Sequence, residues 1–202
     1  MFYTMTKEDT QDFARQNKLA VSFLINATND YVGARCCLSN GLLVGLVLGA
    51  QAVEKYLKAF ILFKDSSQNI KKLSHKIPEL AKKAIELDSN FTLSAQALTF
   101  IETLEKHYNS RYPDNSNSST TKSSAEIDEL DEIVMLINEQ LDIPMEVRYR
   151  NGLYAVVNSS LESNINVGCI IEQWIKTNNK ALEPLHSKIK TEYLSVREHL
   201  YD

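Results

Sequence analysis

The chain has 202 residues, 44% of them hydrophobic and 24% charged, with a formal net charge of −4. That length suits one ordinary domain, or one domain with an appendage, able to bury a full core without disulfides or metal. The composition excludes a disordered chain, and the slightly negative charge argues against a general binder of phosphate backbones.

The opening stretch, MFYTMTKEDTQDF, has no apolar core behind a basic start, so no signal peptide is expected. Cys36 and Cys37 are adjacent and Cys169 is distant, a poor disulfide framework that fits a reduced, cytoplasmic setting. Apolar spacing close to 3.6 predicts helices at about 7–37, 40–64, 77–88, 92–110 and 124–142. The first carries Phe13, Ala20, Phe23, Leu24, Ala27 and Tyr31 on one face, with a break expected near Gly33. Ser39 and Asn40 are the expected cap of the second. Its run from Gly41 to Ala50 is roughly half the length needed to span a bilayer, so a buried helix and no membrane partner are expected. Pro78 falls where a first-turn proline is tolerated, and Ser89 or Asn90 is the expected cap of the fourth helix. Pro113 to Ser124, PDNSNSSTTKSS, reads as a flexible loop. The acidic helix after it would turn Ile127, Leu130, Ile133, Val134, Ile137 and Leu141 inward.

Beyond Pro144 the segment EVRYRNGLYAVV sets Asn151-Gly152 between two runs rich in Val and Tyr, a β-hairpin signal. The rest reads as helical, interrupted at Pro184, with Trp174 anchoring it on the core. The expected fold is therefore all-α: an up-and-down bundle of four to five helices over 1–143. A C-terminal extension over 144–202, with a short β-hairpin and one or two further helices, would pack on it.

Charge is unevenly spread. Between Lys55 and Lys83 there are eight lysines against Asp65 and Glu79, and between Glu126 and Asp142 seven acids and no basic residue. Two readings stand: solvated helix faces that attract each other or a dimer mate, or a basic site for a phosphate-bearing ligand. On the second helix, Leu46, Ala50, Val53, Leu57, Phe60 and Ile61 share one arc, and Gln51, Glu54, Lys55 and Lys58 fall on an adjacent one. Nearby Ala50, Ala52 and Ala59 let another backbone approach, so this polar stripe either faces water or lies in a helix–helix groove. In a groove, Glu54 would need a cation, and Arg111 is the candidate for that structural ion pair.

Three pieces in order, GAQAVEKYLKAF, SHKIPEL and HYNSRYPD, resemble the HEPN family, the nucleotide-binding domains of higher eukaryotes and prokaryotes. The resemblance covers about residues 7–142. It implies a helical bundle paired as a homodimer and associated with nucleotides, RNA or a companion nucleotidyltransferase. Family ribonucleases carry an Arg followed four to six residues later by His. Arg15, Arg35, Arg111, Arg148, Arg150 and Arg197 all lack that histidine, which points to a noncatalytic member.

In HYNSRYPD, Arg111 is a planar donor for a carboxylate or a phosphate, and Tyr108 and Tyr112 offer faces for packing or for stacking a base. The candidate ligand set is Lys55, Lys58, His75, Tyr108, Arg111 and Tyr112. His75 would contact a phosphate, or cap and pack. His107, His186 and His199 show no metal-ligand spacing and no Gly-rich phosphate loop is present, so neither a zinc site nor a cofactor is expected. The expected function is a nucleotide- or RNA-binding accessory module. The alternatives are a homodimeric or antitoxin-type scaffold without a ligand, and a ribonuclease with His75 or His107 as a displaced base.

Overall fold

The structure, a computed structural model, describes residues 6–73, 75–109, 125–162, 173–188 and 191–192. Its helices are α1 (Lys7–Gln16), α2 (Lys18–Ser39), α3 (Val44–Lys64), α4 (Ile77–Leu87), α5 (Ala95–Asn109), α6 (Ala125–Gln140), α7 (Met145–Arg150) and α8 (Gly152–Glu162). A 3-10 turn covers Ile70–Lys72, and further helical turns cover 173–176 and 182–188. No described helix is long and apolar enough to cross a membrane. The Pro113–Ser124 segment lies outside the described residues.

Local signals set the helix ends. Thr6 and Asp9 form a reciprocal capping box at α1. The break between α1 and α2 comes at Asn17, whose side chain donates to the Phe13 carbonyl at 3.0 Å, and Gly33 runs on inside α2. Asn40 closes α2 rather than opening α3. Gly41, at φ +71, donates to Leu38 O, and Leu42 donates to Cys37 O at 2.8 Å, a Schellman ending that needs the left-handed residue. Pro78 sits in the first turn of α4 as expected. Ser94, not Ser89 or Asn90, caps α5: its hydroxyl accepts from Ala97 N–H at 3.1 Å. Pro184 stands in the first turn of 182–188, where a missing N–H costs nothing, so it does not interrupt that helix.

α3 is the central helix. Ala50, Ala52, Val53, Tyr56, Leu57, Ala59, Phe60, Ile61 and Leu62 are all buried. Neighbours across α2 and α3 run in opposite sequence order: position 45 meets Leu38, position 48 meets Gly33, Lys55 meets Asp30 and Tyr56 meets Thr28. The two helices are thus antiparallel. A Cβ added at Gly45 would lie 2.6 Å from Leu38 Cγ and 2.8 Å from the Ala34 carbonyl, so this close crossing requires glycine.

The expected hairpin is absent. The Asn151-Gly152 pair joins two helices, α7 and α8, instead of two strands. A two-residue hairpin turn of the expected type needs φ > 0 at both residues. Here only Gly152 is left-handed, at φ +72, while Asn151 has φ −139. Asn151 caps α7 through Nδ2 to the Val147 carbonyl at 2.8 Å. Leu153, Tyr154 and Val157, spaced as a helix face, enter the core beside Leu24, where a Cβ on Gly152 would not fit. α7 packs on α1, and α8 on α2.

A polar network sits inside this apolar body. Arg35 and Asp131, each 1% exposed, form an ion pair between α2 and α6. Arg35 Nε donates to Trp174 O at 2.6 Å and Nη2 to Thr177 O at 2.7 Å. Tyr31 donates to Asp131 at 2.7 Å and accepts from Asn179 Nδ2 at 2.9 Å. The 173–188 segment is held by these bonds and by Ile175, Leu182 and Leu185 in the core. Trp174 itself is only half-buried, so Ile175 is the apolar anchor.

Asp131→Ala would leave the Arg35 charge buried and unpaired. A stability loss of ~3–5 kcal/mol is expected in urea or guanidinium unfolding. Alkaline pH is a second probe. Burial pushes the hydroxyls of Tyr31, Tyr56, Tyr149 and Tyr154 above the usual phenol range. The folded chain keeps those protons while the unfolded chain releases them near pH ~10. Their contribution to stability is complete below that pH and is lost as pH rises through the folded values. Unfolding midpoints should fall above pH ~10, and tyrosinate absorbance of the buried set should appear with unfolding, not before it.

Candidate functional site

Because α3 is enclosed, part of its polar stripe is enclosed with it. Glu54 is 8% exposed and Lys58 3%, so neither charge is held by bulk water. They hold each other: Lys58 Nζ lies 2.7 Å from Glu54 Oε1, one helical turn away. His75 Nδ1 lies 3.0 Å from the same oxygen, with its side chain 79% exposed. One carboxylate oxygen thus joins a buried ammonium to an imidazole at the surface.

His75 stands on the segment entering α4. Upstream, Lys71 and Lys72 of the 3-10 turn are exposed, and downstream Lys76 is exposed beside Glu79. α4 lacks a side-chain cap of its own. Its first amide, Ile77 N–H, donates instead to Glu105 Oε2 of α5 at 2.8 Å. That bond fixes the last turns of α5 against the start of α4. Tyr108, one turn after Glu105, is half-buried and packs against the core.

Among the sequence candidates, Glu54, Lys58 and His75 come together on one oxygen, and Tyr108 follows on the helix that caps the same end of α4. Lys55 does not join them: it turns to the other flank of α3 and pairs with Asp30 of α2. Arg111 and Tyr112 lie outside the described residues, and with them the expected Glu54–Arg111 pair. Pattern reasoning missed Glu105, Asp30 and the Arg35–Asp131 pair. For the last, a signal existed. Asp131 stands four residues after Ile127 and three before Val134, an inward register, and Arg35 follows Tyr31 by four on the face that includes Ala27.

The HEPN domain family profile matches residues 20–155. The chain belongs to the HEPN domain family. The HEPN match runs from α2 into α8, taking in α3, the His75 segment and the capping of α4 by α5. No curated protein and no solved structure matches the chain.

Two substitutions separate the buried and exposed parts of this junction. Glu54→Gln leaves Lys58 buried without its counter-charge and should cost ~3–5 kcal/mol in denaturant unfolding. His75→Ala removes only the exposed arm and should cost under ~1 kcal/mol.

Proposed function

We propose that this HEPN protein is a noncatalytic module that binds a nucleotide or RNA through its phosphates at the entry to α4. Its catalytic partner would be an enzyme such as a nucleotidyltransferase, and its own assembly a homodimer. The observation that carries the reading is the junction on Glu54, which ties buried Lys58 to His75 at a surface where Lys71, Lys72 and Lys76 stand exposed. Lysines and a histidine on a turn before a helix are suited to anionic oxygens. The next residues of HYNSRYPD, Arg111 and Tyr112, would add a two-point phosphate donor and a stacking face. No arginine is followed four to six residues later by histidine, so the imidazole of the family's ribonuclease motif is lacking.

A second reading, a ligand-free structural dimer, is favoured by one observation: Lys58 is already satisfied by Glu54 inside the bundle. Titration of mononucleotides and short RNAs against wild type, Arg111→Ala and Lys71→Glu/Lys72→Glu separates the two. The binding reading expects loss in both variants and, for single-stranded RNA, a salt slope lowered by ~0.7 per removed phosphate contact. Equal, negligible binding in all three forms would leave the structural dimer, checked by sedimentation.

A further inference from the structure

A concavity lies away from the Glu54 site, where the α2–α3 corner, the first turn of α6 and the 173–180 segment meet. It encloses about 790 Å³, within the ~300–1,000 Å³ typical of small-molecule sites. Leu38, Leu42, Ile127 and Trp174 supply an apolar lining, and Glu126 and Asp128 line the α6 side.

Side chains of both signs line the cleft, and they differ in how they are satisfied. Arg35 also lines it, but its guanidinium is consumed by Asp131, Trp174 O and Thr177 O. Lys180 and Asp128 also line it, both exposed and open to screening by solvent. Glu126 differs from all three. It is 9% exposed, lines the cleft, and has no hydrogen-bond or ion-pair partner among the described residues. A carboxylate removed from water is normally matched by a cation or by donors. Two other buried carboxylates follow that rule: Asp131 has Arg35, and Glu54 has Lys58. Among the described residues no cation meets Glu126, which sits next to an indole and two leucines.

We infer that this cleft binds a small organic cation, an amine or guanidinium on a flat or aliphatic apolar body. The charged end meets Glu126, with Asp128 beside it, and the body lies against Trp174, Leu38, Leu42 and Ile127. The inference is independent of the phosphate site, because it uses other elements and the opposite charge.

An isosteric series reads it directly. Tryptamine, tryptophol and indole-3-acetate carry one ring with a cationic, a neutral and an anionic tail. By isothermal titration, tryptamine should bind roughly tenfold or more tighter than tryptophol, the scale of one charge-assisted hydrogen bond, and indole-3-acetate should not bind. Glu126→Gln should erase the difference between tryptamine and tryptophol. Leu42 is 54% exposed, so Leu42→Arg sets a competing cation at the cleft without touching the core. That variant should lose tryptamine binding while keeping the wild-type unfolding transition, and it decides the matter if Glu126→Gln fails to fold. Equal affinities across the series, tryptamine binding that survives either variant in folded form, or binding of a lysine-rich peptide without binding of tryptamine would each overturn the inference.

Discussion

The contact between Arg35 and Asp131 constrains more of this molecule than any other. Two full charges lie where water does not reach, so every donor and acceptor around them has to be met within the protein. Arg35 meets that demand by taking two backbone carbonyls from the 173–180 segment, and Asp131 by accepting from Tyr31. Asn179 closes the circuit on the Tyr31 hydroxyl and caps the following turn through Leu182 N–H. A C-terminal segment with few apolar anchors is thereby registered against α2 and α6 by directional bonds. Apolar burial gives little orientation by itself; the guanidinium fork gives a great deal.

The same enclosure explains the Glu54 site. α3 is wrapped by α2, α4, α5 and α6, so a polar stripe that would ordinarily be solvated is divided between partners. Lys58 is turned inward onto Glu54, Lys55 is drawn aside by Asp30, and His75, from the segment before α4, reaches the same Glu54 oxygen from solvent. The capping of Ile77 by Glu105 then couples the start of α4 to the end of α5. Two short stretches distant in sequence become neighbours through one backbone amide without a cap of its own.

The Glu54 site and the cleft at α6 have opposite characters for a common reason, the distribution of charge along the chain. The lysine-rich run surrounds the approach to α4, and the acidic run begins at the first turn of α6, where the helix dipole favours carboxylates. In the first place a buried carboxylate has partners. In the second it has none among the described residues.

Much of the helical framework was readable from periodicity: α3, α4 and the inward row Leu130, Ile133, Val134 and Ile137 follow from a 3.6-residue repeat. So was the family, because its three motifs carry side-chain types at fixed spacing. The Asn151-Gly152 corner was not, since a left-handed glycine serves a helix terminus as well as a turn between strands, and the flanking Val and Tyr residues suit either. Local chemistry names which residues are able to bend, cap or carry charge. Which partner each one meets depends on contacts as many as 148 positions apart, such as Asn179 with Tyr31, and those exist only once the helices have packed.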